Sequence, residues 1–475
     1  MKRLAFILAA LLALSSCGIV IINGGESSGT TVVTDPRTAD SSGTFTPSTE
    51  PVIIEEPDYE IEAAARLSSL PELVFDGYSV FVTVHEEHRI FFNDDEGAEY
   101  RSYILRRNHN LVEKYDFKPV ISFESSSKMR TEMVRAKKSG DHYTDLAVIP
   151  QTEFGSFASG KVLRNLKTLP YTDFDSDCFE RNSVECFTFD GALYGIVGSA
   201  VLSPDVYPCL YARVTENGAV TGESAKKIAS GETVLTLEML NVMLKEGTLC
   251  SSVDSAGLSE SLFLSFGGSF YDGSTVNPCG NADTLASQIK NLTKNIRSSA
   301  VSQTVDGVTV TYTGADMFAN GLSDFAFGTL SDMRKLGQCG FRWEILPVPA
   351  YSESAGYITA TLSDSPVIVA SDTSESVDVP GFILQALNEV SYKCFYGEYR
   401  SAAVLYYITS STALDMTELI CGRPVYDKGL VTSSASKYIK AVTTGALENA
   451  LNGTPFSTLT EKELKSAQSA FKAIK

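Results

Sequence analysis

Three apolar runs, each leading into a longer amphipathic stretch, constrain what the first part of this 475-residue chain can fold into. YSVFVTV (78–84) is β-branched and aromatic with partial alternation, which reads as a strand. RIFF (89–92) is a candidate pairing segment beside it. From Asp94 to Phe117, the residues Tyr100, Ile104, Leu111 and Tyr115 fall on one helical face; acidic residues open the run and basic ones follow, as a helix dipole prefers. KPVISFE (118–124) is a second strand. Ser125 to Lys138 reads as a serine-capped helix with Met129 and Met133 on its apolar side and Gly140 past its end. DLAVIP (145–150) is a short, continuously apolar strand, followed by a short helix from Gln151 to Ala158.

Strand–helix alternation implies right-handed crossovers and a parallel sheet covered on both faces. Ligands bind such sheets beyond the carboxyl ends of the strands. Here those ends are Glu124-Ser125-Ser126-Ser127 and Pro150-Gln151-Thr152-Glu153. Both run into helix N-termini, whose free N–H groups suit anions or hydroxyl oxygens. The serines serve equally well as plain helix caps.

The chain opens MKRLAFILAALLALSSC, a basic head followed by an apolar run over residues 4–14. That run is far short of the ~20 residues a bilayer-crossing helix needs and suits a secretory signal. Leu14-Ser15-Ser16-Cys17 resembles the lipobox of bacterial lipoproteins, in which the signal (1–17) is cut before a cysteine that is then acylated. The resemblance implies lipidation at Cys17 and a protein held on the extracytoplasmic face of the cell membrane by lipid alone. The alternative is an ordinary secretory signal. Residues 18–75 are rich in Ser, Thr, Gly and acids and are expected to be a disordered tether. From Gly18 to Val80 there are 11 Asp and Glu against 2 Arg, nearly half of the net charge of −19, which excludes broad contact with nucleic acid.

Beyond Cys17 eight cysteines remain, without a CxxC pair; Cys178 and Cys186 are close enough in sequence to bridge, or all stay free thiols. HEEH (85–88) spaces its histidines three apart rather than the four of a zinc-protease helix, and a solvated loop is the plainer reading. G-x-S-x-G occurs as GESSG (25–29), inside the Ser/Thr/Gly-rich stretch rather than between a strand and a helix; no P-loop is present, and no cofactor is implied.

Six further segments follow in order: SGKVLRNLKTLPYTDFD (159–175), FTFDGALYGIVGSA (187–200), FGGSFYDG (266–273), DMFANGLSDFAFGTLSDM (316–333), EILPVPAYS (344–352) and FILQALNEVSYKCFY (382–396). Together, behind a lipobox, they resemble the bacterial extracellular solute-binding proteins of ABC importers, the group that includes the sugar binders. Gly160, Lys161, Leu163 and Leu166 match one family segment, and Asp190, Gly191, Leu193, Tyr194, Gly195 and Ile196 match another. Val197 stands where relatives often have Pro, and the chain has a single Trp, Trp343.

The resemblance implies an α/β, two-lobed periplasmic-binding-protein-like fold (type II), each lobe a mixed, mainly parallel sheet flanked by helices. Lobe 1 would comprise 76–198 and 329–368, lobe 2 residues 199–328 and 369–475. Small residues at Gly198 and Ser199 would let a hinge bend. The implied partners are a small solute, carbohydrate favoured, and the membrane subunits of an ABC permease, with the protein itself monomeric and not an enzyme. Candidate ligand contacts are Glu124, Ser126, Thr152 and Glu153 at strand ends, Tyr194, Ser199, Tyr207 and Tyr211 near the first crossing, and Phe327 near the second. Trp343 opens an apolar strand and is expected in the core. A glycan-capturing or adhesion protein on the same scaffold, or an anchored hydrolase, would share these features.

Overall fold

A computed structural model describes residues 30–34, 38–39, 45–46, 51–55, 59–96, 100–202, 206–216, 218–277, 279–297, 301–305, 308–336, 339–394, 411–422 and 424–474. The signal segment and Cys17 lie outside the described residues.

Eight strands build two main sheets: β1 (Tyr78–His85), β2 (Phe117–Glu124), β3 (Leu146–Pro150), β4 (Pro208–Arg213), β5 (Leu249–Ser251), β6 (Phe325–Thr329), β7 (Trp343–Pro347) and β8 (Pro366–Ala370). The helices that matter most below are α1 (Tyr59–Ser69), α2 (Arg101–Tyr115), α3 (Ser126–Ser139), α4 (Gln151–Ser159), α5 (Ser255–Ser265), α6 (Asp378–Glu389), α7 (Lys437–Val442), α8 (Thr444–Leu451) and α9 (Glu461–Lys472).

The first sheet runs β8-β3-β1-β2, with β1 parallel to β2 and β3 and with β8 antiparallel to β3. This is the parallel, helix-covered arrangement that the alternation implies. The second runs β5-β6-β4-β7, where β5 and β6 are parallel and β4 opposes both β6 and β7. Each sheet has its own apolar core. One centres on Val84, Ile104, Met133, Ile149 and Phe382, the other on Leu210, Phe263, Phe325 and Ile345. Leu202 and Leu459 touch both.

The pairings divide the chain differently from the sequence expectation. Strand β7 belongs to the second sheet, not lobe 1, because it pairs with β4 over Trp343–Pro347. Strand β8 lies in lobe 1, where residues 366–368 were expected, whereas α6, α7 and α9, expected in lobe 2, also belong to lobe 1; Ile439, Val442, Ala467 and Phe471 enter the first core. The C-terminal segment alternates, since Leu447 of α8 and Phe456 are in the second core. The tether also needs correcting. Helix α1 docks on lobe 1: Arg66 makes ion pairs of 2.8 Å to Asp177 and 2.6 Å to Glu389, and stacks 3.6 Å from the Tyr392 ring. Strand pairs Thr30–Thr34 with Pro51–Glu55 and Thr38–Ala39 with Phe45–Thr46 lie in the same stretch.

Smaller differences have local causes. RIFF is not a strand; Glu86–Phe91 is a 3-10 turn that buries His88 and Phe91. HEEH is therefore not a wholly solvated loop. Helix α3 ends on Gly140 in the left-handed conformation (φ 76°), but Ser125 at its N-cap position makes no side-chain capping bond. Trp343 is in the core, its Nε1 donating to the Leu336 carbonyl at 3.1 Å. All eight described cysteines are free, Cys178 and Cys186 among them.

Asp190 (φ 48°) and Gly191 (φ 80°) make the tight turn of a hairpin, Thr188–Phe189 against Ala192–Leu193. The chain then lies along the outer edge of β8, with Ile196 and Ile368 exchanging backbone hydrogen bonds of 2.9 and 2.8 Å. At Gly198 it meets α6 head on. A Cβ there would lie 2.2 Å from Asn388 Oδ1 and 2.9 Å from Phe179. Asn388 is fully buried; its Oδ1 accepts from Ala200 N at 3.0 Å and its Nδ2 donates to the Leu384 carbonyl at 2.7 Å. The glycine is small because an amide side chain packs against its backbone. Gly198→Ala should therefore lower stability by about 1–3 kcal/mol, as overpacking does. Denaturant unfolding would show a lower midpoint at unchanged slope.

Candidate functional site

Strands β1, β2 and β3 all end at one edge of the first sheet. The antiparallel β8 begins at that same edge, because Pro366 pairs with Pro150. Polar residues from four segments therefore meet there: His85–His88, Glu124–Ser126, Gln151–Glu153 and Ser363–Ser365. Backbone bonds hold the rim together. Gln151 N donates to Ser365 O at 2.9 Å and Thr152 N to Ser363 O at 3.1 Å. Gln151, fully buried, donates from Nε2 to Thr361 Oγ1 at 3.2 Å.

In the second sheet β5, β6 and β7 end at the edge where β4 begins, through the pairs Pro208↔Thr329 and Cys209↔Pro347. Leu362 N donates to Val206 O at 3.1 Å. The crossing that leads into β4 and the one that leads into β8 thus run side by side, which brings the two rims to one boundary. Helix α5 forms the lobe 2 wall. Its Ser261 Oγ donates to Ala360 O at 3.1 Å, and Ala360 N donates to Ser265 Oγ at 3.3 Å. From the C-terminal side, Ser434 Oγ accepts from Ser156 N of α4 at 3.1 Å.

Three buried polar atoms on the lobe 1 rim have no hydrogen-bond partner: Ser126 Oγ, Ser365 Oγ and His88 Nε2. Their residues are 9%, 3% and 7% exposed. The His88 ring lies beside the Asp364 backbone and stays neutral, its pKa pushed down to about 3 by burial first and by His85 second. A buried polar group without a partner costs roughly 1–3 kcal/mol, so these atoms favour an incoming donor or acceptor.

Carboxylates surround the same space. Glu260 of α5 is half-buried, next to Ser363 and within electrostatic reach of Asp254, Asp364 and Lys440. Burial, and then the Asp254 and Asp364 charges, push its carboxyl up to about 7, against Ser363 and Lys440. Asp364 is raised too, by burial and then by Glu87 of lobe 1 and Asp254 of lobe 2. It thus sits between the lobes electrically as well as in the chain.

The residues singled out from sequence fare unevenly. Thr152 and Glu153 are half-buried on the rim, Glu153 accepting from Ser156 Oγ at 3.1 Å. Ser126 is there with its free hydroxyl. Glu124 is at the rim's edge but engaged, with Tyr143 Oη at 2.6 Å and Lys128 at 3.0 Å. Tyr194 is displaced. Antiparallel pairing of Ile196 with Ile368 puts it level with Ala370, at the far end of β8 from the rim. Ser199 is buried and bonded through Oγ to the Cys178 carbonyl at 3.1 Å. Tyr207, Tyr211 and Phe327 are core residues of lobe 2, at 3%, 1% and 0% exposure. Tyr211 Oη is spent on the Thr329 carbonyl at 2.6 Å. His88, Glu260, Ser363, Asp364 and Ser365 lie at the same boundary and were not among the candidates. The available signal was Ser363-Asp364-Ser365, a polar run set directly before an apolar strand.

No family model matches the chain, and no curated protein does. Solved structures do. One is a cyclo/maltodextrin-binding protein complexed with maltotetraose, 12% identical, TM-score 0.50, covering 84% of this chain and 97% of that one. Another is a cyclic alpha-maltosyl-1,6-maltose binding protein from Arthrobacter globiformis, 13% identical, TM-score 0.50, covering 84% and 99%. At these identities the likeness is one of fold. The chain has the two-lobed α/β fold of the solute-binding proteins.

The raised Glu260 carboxyl makes stability depend on pH. Its folded pKa of about 7 lies above the ordinary 4.5, so its contribution is complete below 4.5 and is lost as pH rises through 7. Glu260→Gln should remove this loss. Allowing for solvent in the cleft, the variant should be more stable than the parent by about 1–2 kcal/mol at pH 8 and equal to it near pH 4. Melting temperatures of both proteins across that range give the comparison.

Proposed function

We propose that this chain is a lipid-anchored, extracytoplasmic solute-binding protein that captures a sugar or oligosaccharide between its lobes and delivers it to an ABC permease. The observation that carries the reading is the set of partnerless buried atoms, Ser126 Oγ, Ser365 Oγ and His88 Nε2, on one rim at the lobe boundary. Hydroxyl groups, which both donate and accept, are the natural complement to a serine hydroxyl and a neutral imidazole. The fold supports it, since the two similar structures are described as a maltodextrin binder holding maltotetraose and a cyclic maltose binder. Recognition would rest on hydrogen bonds more than on stacking, because Trp343, Tyr207, Tyr211 and Phe327 are all in the core.

Capture needs no chemistry. A ligand that contacts both rims favours the closed arrangement by its differential affinity for it, and the closed form is what a permease reads. The ends of α4 and α5 and the 359–366 crossing supply both sides of such a contact. Acylation at Cys17, with the 18–58 stretch as spacer, would hold the body near the permease.

A thermal-shift panel of neutral oligosaccharides on the full chain tests the reading. A binder at 100 times its Kd should stabilise by about 2.7 kcal/mol, with compaction in small-angle scattering. Ser365→Ala combined with Ser126→Ala should weaken that ligand about tenfold or more while leaving the fold intact. A flat panel, or turnover of the sugar, would end the capture reading. Separately, Cys17→Ser should move the protein from the membrane to the soluble fraction.

A further inference from the structure

Four carboxylates from three segments converge where the lobes meet: Glu87 after β1, Asp364 in the crossing, and Asp254 and Glu260 at α5. Asp254 caps α5, accepting from Ala256 N and Gly257 N at 3.0 Å each. The other charged or titratable groups facing them are Lys440 of α7 and His85, 3.9 Å from Glu87. Of these named groups four are acids and one is a permanent cation. That balance is unfavourable for the empty protein, and closing the lobes on a neutral guest would worsen it by removing water.

An acidic group of this kind serves capture only if something cationic enters. A second, independent feature says that something does enter. His88, 93% buried by its 7% exposure, sits with its ring beside Asp364 and its Nε2 unpartnered, and the neighbouring Ser365 hydroxyl is likewise unsatisfied. A neutral imidazole nitrogen and a hydroxyl next to a carboxylate cluster complement a guest carrying both hydroxyls and an ammonium group.

We infer that the cleft is selective for an amino-bearing sugar, whose ammonium lies among Glu260, Asp364 and Asp254 while its hydroxyls reach His88 and Ser365. This deepens the capture reading and rests on it. An ammonium held beside Glu260 favours the ionised carboxylate. The Glu260 carboxyl, raised to about 7 by burial, would therefore give up its proton on binding. A neutral guest closing over the same group would deepen its burial and draw a proton in. The guest's own amine is incompletely protonated at pH 7 and takes up a proton as it binds, so the Glu260 share is read as the difference in proton change between the parent and Glu260→Gln.

The experiment is titration calorimetry of the full chain at pH 7 in buffers of different ionisation enthalpy. The ligands are a trimer of β-1,4-linked glucosamine, its fully N-acetylated counterpart and maltotriose. The glucosamine trimer should bind at least ten times tighter than either neutral sugar, and the parent should release up to about half a proton more than Glu260→Gln does. Its preference should shrink several-fold in Glu260→Gln and in Asp364→Asn, each checked by melting, and at raised salt. Equal or tighter binding of a neutral sugar, a parent that releases no more protons than Glu260→Gln, or an undiminished preference in both variants would overturn the inference while leaving capture standing. Failure of all three sugars to bind would overturn the inference as well, and the neutral panel above then decides separately whether capture survives.

Discussion

The pairing of β8 with β3 is the constraint from which the rest of the site follows. Antiparallel register between Pro366 and Pro150 brings the chain back from lobe 2 at the edge where β1, β2 and β3 finish. Were β8 parallel, Ser363-Asp364-Ser365 would lie at the opposite end of the sheet. As it is, a single returning strand supplies the first sheet with an edge partner and the cleft with its floor. Ser363 and Ser365 also accept the backbone N–H groups of Thr152 and Gln151, at 3.1 and 2.9 Å, so the first turn of α4 is satisfied by the crossing rather than by its own cap.

A second joint fixes the C-terminal segment to lobe 2. The Asp427 carboxylate, buried, accepts from Ser269 Oγ at 2.7 Å, Phe270 N at 3.0 Å and Leu430 N at 2.9 Å. Burial pushes its pKa up while those donors oppose the shift. Nearby, Lys428 Nζ reaches across to the Thr188 carbonyl of lobe 1 at 3.0 Å, and Asn182 Nδ2 to the Pro424 carbonyl at 2.8 Å. The lobes are thus laced together by side chains as well as by repeated passage of the chain.

Much of lobe 1 was legible because its signals are local. The β-branched run at Tyr78, the methionines of α3 with Gly140 behind them, and the Asp190-Gly191 turn all act through neighbours in sequence. Lobe boundaries were not legible, since β7 and β8 are both short apolar strands and only long-range pairing assigns each to its sheet. The site was half legible. Looking beyond the carboxyl ends of parallel strands pointed to Ser126, Thr152 and Glu153, which lie on the rim, and the same rule is blind to a strand that enters in reverse. Aromatic residues near the crossings misled for a related reason. Tyr211 and Phe327 alternate on strands covered on both faces, where both side-chain directions are interior.

The eight cysteines have a consequence for what holds such a protein together. None of the described ones is bridged, and burial pushes the thiols of Cys178, Cys186, Cys209 and Cys421 well upward, with Cys250 at about 11. A sulfur that stays protonated is a poor nucleophile towards oxidants, electrophiles and soft metals alike. Around these five sulfurs the two cores therefore stand on packing alone, with no covalent staple among the described residues to be made or lost.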